Sequence, residues 1–323
     1  MIRSMYSGIS GLKNFQTKLD VIGNNIANVN TYGFKKGRTI FKDLISQTTS
    51  GASAATGTRG GVNAKQVGLG SQLSAIDTIH AGGSLQSTGN TLDLAISGDG
   101  FFQVADGTGA TATTGPTGYT NYLYTRAGNF YMDESGYLVN SDGKYVVGAA
   151  AATTGTPAVY PLASAVTIKP NNGNLDKTPA NPLDGIPDDI PVTGNAATYK
   201  PIQIPTDAQS MSISQDGTVT FVDKGGELRW AGQLVLAKFP NAGGLEKAGS
   251  NYFKSSPNSG TPLNSTATSD GMGSVNSGFL EMSNVDLSEE FTDMIVAQRG
   301  FQANTRIITT SDSILEELIN LKR

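Results

Sequence analysis

The single histidine of the chain, His80, is where acid–base chemistry would begin. A general base needs a carboxylate to orient it and a nucleophile or water to act on, and the neighbouring sequence supplies neither. A surface or partly packed histidine is the expectation. Six Asp-Gly pairs, at Asp99, Asp106, Asp142, Asp184, Asp216 and Asp270, could open calcium loops. None has the ligand spacing of an EF-hand, and Asp-Gly is a strong hairpin signal, so turns are expected. Asp184, Asp188 and Asp189 form the densest acidic cluster, but the prolines among them point to a solvated loop. Gly98-Asp99-Gly100 is no phosphate cradle, because no lysine with serine or threonine follows and the next residues read as a strand. Carboxylate pairs for glycoside hydrolysis can converge from any two strands, and spacing nominates none. The absence of cysteine excludes a thiolate nucleophile, a disulfide framework and cysteine-ligated metals. The expectation is a chain with no catalytic residue, no metal and no cofactor.

The composition sets the frame for whatever positions these residues. The 323 residues suggest two or more compact units. Hydrophobic residues make up 37% and aromatics 7%, whereas glycine supplies 40 positions and proline 13, so turns and short strands dominate. A net charge of −4 lacks the basic footprint that a phosphate backbone demands, which argues against nucleic acid. No apolar run is long enough to span a bilayer, and the opening residues lack the apolar core of a secretory signal.

Helical patterns occupy the two ends. Met5, Leu12, Leu19 and Ile26 recur every seven positions, with Phe15, Ile22 and Val29 interleaved, forming a narrow seam that stops at Asn28-Val29-Asn30-Thr31-Tyr32-Gly33. At the other end Asp286 and Glu289 have capping-box spacing, and Leu287, Met294, Phe301, Ile308 and Leu315 repeat every seven. Phe291, Ile295, Ile307, Ile314 and Leu318 are expected to widen that stripe, and Lys322-Arg323 to close the helix against its dipole. Gly8, Gly11 and Gly23 cost the first helix about 1 kcal/mol each relative to alanine, so alone it should fray. Residues 1–42 hold seven basic groups and one acidic, and residues 286–323 hold seven acidic and four basic, so the ends are matched in charge. Seam spacing allows either a hairpin within one chain or a bundle between chains.

Between the ends the pattern changes. Residues 35–75 are rich in small residues and read as an extended connector. Leu92, Leu94 and Ile96 alternate, Phe101 to Val104 follows, and Tyr124 to Val147 reads as a β-meander. Strand patterns resume at Met211–Ser214, Thr218–Phe221 and Gln233–Phe239. Residues 149–201, with eight prolines from 157 onward, read as a small inserted domain. The expected fold is mainly β and multidomain with long terminal α-helices, nested: residues 1–34 and 285–323 as a helical polymerisation domain, 76–148 and 202–284 as a discontinuous β domain, 149–201 as an insertion.

The stretch Leu19-Asp20-Val21-Ile22-Gly23-Asn24-Asn25-Ile26-Ala27-Asn28-Val29-Asn30-Thr31-Tyr32-Gly33-Phe34-Lys35 closely resembles the N-terminal signature of the bacterial flagellar rod and hook family. Gly278-Phe279-Leu280-Glu281-Met282-Ser283-Asn284-Val285, followed by Gln298-Arg299-Gly300-Phe301-Gln302-Ala303-Asn304, resembles its C-terminal signature, with Gly300 departing from the alanine or asparagine common there. Leu92 to Phe102 and Thr125-Arg126-Ala127-Gly128-Asn129-Phe130 resemble its β domain. The resemblance implies a non-enzymatic subunit that polymerises with itself through its terminal helices into a tube. It further implies export without a cleaved signal through the flagellar type III apparatus, location in the extracellular flagellum, and contact with rod subunits, the hook cap and the hook–filament junction protein. The opening residues, the length and the insertion resemble the hook branch, a bending universal joint that transmits torque, more than the straight distal rod. A secreted glycan-active enzyme or lectin built on the glycine-rich β region is the alternative of a different class.

Overall fold

Heptad spacing at both ends becomes two helices, and the glycine-punctuated middle becomes short antiparallel strands. The computed structural model describes residues 2–108, 118–151, 160 and 199–321. The inserted segment expected at 149–201 therefore lies outside the described residues except at its margins, as do Asp184, Asp188, Asp189, Lys322 and Arg323. Two compact units divide the chain: Met1–Val29 with Lys35–Ile79 and Val285–Arg323, and Asn30–Phe34 with His80–Asn284.

In the first unit, helix α1 (Ile2–Ala27) packs along helix α2 (Leu287–Asn320). Where the sequence suggests an extended connector, the chain forms strands. Strand β1 (Gly37–Asp43) pairs antiparallel with β4 (Ser71–Thr78), and β2 (Ser46–Ser50) with β3 (Lys65–Gly68). Their Ser, Thr, Gln and Gly content carries little alternation, because both faces of β2 and β3 are exposed and no hydrophobic face has to be written into the sequence.

The second unit contains β5 (Leu85–Ser87), β6 (Leu94–Ser97), β7 (Phe101–Thr108), β8 (Gly118–Thr125), β9 (Phe130–Met132), β10 (Leu138–Asn140) and β11 (Tyr145–Ala150). It continues with β12 (Lys200–Pro201), β13 (Ser210–Ile213), β14 (Thr218–Val222), β15 (Leu228–Lys238), β16 (Glu246–Gly249), β17 (Tyr252–Lys254), β18 (Leu263–Thr266), β19 (Ser274–Ser277) and β20 (Phe279–Glu281). Twelve strands join one sheet whose main path runs β13-β14-β15-β11-β7-β8-β17-β16. The sheet hinges on β15, buried from Trp230 to Ala237 and bonded to β14, β11, β7 and β18 along its length. Both faces of so central a strand are covered, which explains its apolar run, broken only by Gln233, whose amide donates to the Asp216 carbonyl at 2.9 Å. β9, β10 and β11 form the meander. β6 pairs with β19 and β5 with β20, outside the large sheet. Leu94, Ile96, Phe102, Val104, Phe130, Leu138, Val146, Ile202, Phe221, Leu234 and Leu236 share one core, where Phe102 and Phe130 meet edge to face at 5.2 Å.

Most Asp-Gly pairs sit in turns: Gly143 and Gly217 take φ of +74° and +82° after Asp142 and Asp216. Asp106-Gly107 does not. It lies inside β7 next to a register irregularity whose left-handed residue is Asn121 on β8, at φ +52°, while Gly107 itself pairs in register with Tyr119. His80 packs edge-on against Phe101 and Phe253 at 5.5 and 5.1 Å, as a partly packed histidine.

Candidate functional site

The two helices run antiparallel in a register set by glycine. An added Cβ on Gly11 would lie 2.9 Å from the Asn304 amide nitrogen, and one on Gly300 would lie 2.5 Å from Phe15 Cζ. Gly8 faces Ile307 and Ile308. The glycines that weaken α1 in isolation are thus what lets α2 approach it closely. Gly300, the departure from the family pattern, is where the Phe15 ring seats.

Along α2 the buried or half-buried residues include Glu290, Met294, Ala297, Phe301, Asn304, Ile308, Ser311 and Leu315, a three–four alternation, with Asp293 and Gly300 beside them. The sequence-derived seam keeps Met294, Phe301, Ile308 and Leu315, but its companion set is small and polar, not apolar. Phe291, Ile295, Ile307, Ile314 and Leu318, expected to widen the stripe, are 41–59% exposed, and Leu287 is exposed as well. The reason is geometric. They lie on the flanks of the seam, and α2 is the longer helix: the register that sets Phe15 against Gly300 would put Ile2 opposite Ser313, so the last turns of α2 overhang α1. On α1, Ile22 is fully buried, and Met5, Leu12, Phe15, Leu19, Ile26 and Val29 are half-buried.

The charge match between the ends becomes specific pairs near the start of α2. Lys18 meets Asp293 at 3.1 Å and Lys36 meets Glu289 at 2.7 Å. Asp286 is the N-cap, accepting from the Ser288 amide at 2.8 Å and the Glu289 amide at 3.4 Å. Because Glu289 turns to Lys36, the expected reciprocal capping box is only half made. No basic residue occupies the last turn of α2. Asn25 is the hub: its amide donates to the Gly37 carbonyl at 2.9 Å, accepts from the Gly37 amide at 3.0 Å, and donates to both Glu290 carboxylate oxygens at 3.2 Å. Glu290 is only 6% exposed, and burial raises its carboxyl above the ordinary value against the opposing pull of Asn25 and Lys36.

The remaining signature residues have local tasks. Asn28 donates to the Asn24 carbonyl at 2.9 Å as α1 ends. Gly33, at φ +69°, lies where a Cβ would meet the Ala127 nitrogen at 2.5 Å, and its amide donates to the Glu281 carbonyl at 2.8 Å. Phe34 lies under the Lys247 ammonium, 5.1 Å from its ring centroid, and Thr31 lines a cleft in the second unit. Asn284 donates to the Ala81 carbonyl at 3.3 Å, between half-buried Ser283 and Val285. Gln298 and Arg299 are exposed on α2, and Asn304 lies in the seam.

Sequence reading misses the buried ion pair of the second unit. Arg126, 3% exposed, donates to Glu281 Oε2 at 3.3 Å and to the Gly98 carbonyl at 2.8 Å, while Glu281 Oε1 accepts from the Gly83 amide at 2.9 Å. Burial depresses the Arg126 pKa and Glu281 opposes it. Both residues fall in family-like stretches, which was the available signal. Among the described residues no group of three or more metal-ligating side chains is placed to hold a metal ion, and no helix is long and apolar enough to cross a membrane.

The two ends close into a glycine-registered helix hairpin with apolar side chains left uncovered along its flanks. Residues 5–35 match the family model for the flagella basal body rod protein, residues 95–221 that for the flagellar hook protein FlgE/F/G D1 domain, and residues 276–321 that for the flagellar basal body rod FlgEFG protein C-terminal. The flagellar basal-body rod protein FlgG of Bacillus subtilis is 50% identical over 324 aligned positions, covering 100% of both chains. The flagellar hook protein FlgE of Borreliella burgdorferi is 34% identical over 453 positions, again covering 100% of both. The crystal structure of the Helicobacter pylori flagellar hook protein FlgE2 aligns with 61% of this chain and all of its own, at 10% identity and a TM-score of 0.38. The chain belongs to the flagellar basal-body rod and hook family, structural components of the flagellum and not enzymes.

Proposed function

We propose that this chain is a subunit of the distal rod of the flagellum, not of the hook. One observation carries the reading: the rod protein is 50% identical over an alignment of 324 positions, whereas the hook relative is 34% identical and its alignment runs to 453 positions. The sequence preference for the hook branch gives way on that point.

The terminal helices are the polymerisation elements in this reading, lining a tube. Phe291, Ile295, Ile307, Ile314, Leu318 and Ile319 are 41–68% exposed. Burying their remaining surface against a neighbouring copy would contribute on the order of 10 kcal/mol per subunit. Export unprocessed through the flagellar type III apparatus, with other rod subunits and the hook as neighbours, completes the proposal. Negative-stain microscopy of assembled material tests it: straight tubes are expected, and curved, bending tubes would return the chain to the hook branch. Tubes formed by a chain lacking residues 1–34 and 285–323 would overturn the helical polymerisation.

A further inference from the structure

A cleft of about 240 Å³ opens in the second unit among four loops: the one after α1, the one after β8, the Asn140–Ser141 turn and the Ser250–Asn251 turn. Two of these loops carry the family-like stretches Asn30-Thr31-Tyr32 and Thr125 to Asn129, for which helix pairing offers no use. No Lys, Arg, His, Asp or Glu lines the cleft. The side chains of Asn30, Asn129, Ser141 and Ser250 make no hydrogen bond among the described residues. Asn251 donates its amide to the Tyr32 carbonyl at 3.0 Å, which leaves its side-chain oxygen as an acceptor. Tyr252 forms a fixed wall, its hydroxyl donating to Asp142 Oδ2 and accepting from the Asn140 amide, each at 2.5 Å. The turn between β16 and β17 is held in a conformation its residues disfavour, with φ of +48° at Ser250 and +61° at Asn251. That geometry ordinarily selects Asn-Gly, and a serine there costs about 1 kcal/mol. Strain of this kind collects where a site must hold its shape.

We propose that this cleft binds a single neutral sugar ring. The one carboxylate close by, Asp142, is engaged by the Tyr252 hydroxyl behind the wall, so the lining itself presents amides and hydroxyls, which alternate donors and acceptors as vicinal hydroxyls do. Half-buried Tyr32 supplies the apolar surface that the C–H face of a sugar needs, with the buried Tyr252 as the floor beneath it. The volume lies below the roughly 300–1,000 Å³ of drug-sized pockets, which limits the occupant to one ring. The inference stands apart from the rod assignment, since it uses only loops of the second unit.

The test is ¹H–¹⁵N NMR of the full chain titrated separately with N-acetylglucosamine, glucose and galactose. At least one sugar is expected to give saturable shifts confined to amides 30–32, 125–129 and 250–252, with millimolar affinity. Asn129→Ala and Asn251→Ala should each weaken binding fivefold or more while spectra elsewhere stay unchanged. Ser250→Gly, which relaxes the turn, is the fold-preserving companion and should retain binding within twofold. No saturable shift with any of the three sugars, shifts mapping elsewhere, or undiminished binding by both alanine variants would overturn the proposal. So would a cleft that binds no sugar in the monomer and becomes protected only on polymerisation, which would make it a seat for a second copy.

Discussion

Replacing Gly300 by alanine sets two effects of opposite sign against each other. Helix propensity alone predicts a gain of about 1 kcal/mol, because Gly300 lies inside α2 far from either end. Packing predicts a loss: the new Cβ would stand 2.5, 2.7 and 2.8 Å from three atoms of the Phe15 ring, closer than real Cβ contacts come. Overpacking of this size costs about 1–3 kcal/mol, and the ring is held on a helix that cannot retreat without breaking the neighbouring Gly11–Asn304 contact. The net expectation is a loss of about 1–2 kcal/mol. The sign should reverse once the ring is removed: in a Phe15→Ala background, Gly300→Ala should stabilise by up to about 1 kcal/mol. The coupling energy of that cycle is therefore about 2–3 kcal/mol. Urea unfolding followed by helical ellipticity reads all four proteins, since α1 and α2 supply the α-helix of the described chain. Stabilisation by Gly300→Ala in both backgrounds would refute the close seam.

Glu290 makes the hairpin respond to acid in the sense opposite to most carboxylates. Its pKa is raised by burial, with Glu289 and Asp293 adding to the rise and Asn25 and Lys36 opposing it. The folded state thus holds the proton more tightly than the unfolded chain. Its contribution is fully present below the unfolded value and is lost as pH rises through the folded one. Glu290→Gln should stabilise the hairpin at pH 7 by about 1 kcal/mol and lose that advantage near pH 4, read as melting temperature against pH. Arg126→Met, which leaves the Glu281 carboxylate buried and 1% exposed without its cation, should cost about 3–5 kcal/mol in thermal unfolding of the β unit. The Arg126→Met, Glu281→Leu double variant should cost less than Arg126→Met alone. Gly33→Ala combines a left-handed φ of +69° with backbone overlap at Ala127, and a destabilisation of about 2–4 kcal/mol is expected in the same assay.

What the sequence made legible follows from where burial is one-sided. Met294, Phe301, Ile308 and Leu315 face α1, and their spacing alone marks the helix. Strands β7, β13, β14 and β15 were visible through β-branched and aromatic runs bounded by Asp-Gly turns. The partner set of the seam escaped because Glu290, Ala297, Asn304 and Ser311 carry no hydrophobic signal: the close approach at Gly8, Gly11 and Gly300 leaves room only for small or hydrogen-bonded side chains. Phe291 and Ile295 misled for the converse reason, since an apolar side chain on a helix flank looks the same whether it faces its own chain or another. The β2–β3 pairing was invisible because its strands are exposed on both faces. The pairing of Arg126 with Glu281 joins residues far apart in sequence, which no local pattern records. The family models that match the chain span rod and hook proteins alike, so the preference for the rod rests on the higher identity to a rod relative and not on physics.

Electron cryomicroscopy of the assembled polymer tests the central claim most directly. The account predicts a straight tube whose inner wall is built from α1 and α2, with Phe291, Ile295, Ile314 and Leu318 of each subunit packed against helices of its neighbours. A curved, compressible tube would contradict the rod assignment, and a straight tube in which those side chains still face solvent would contradict the helical mode of assembly.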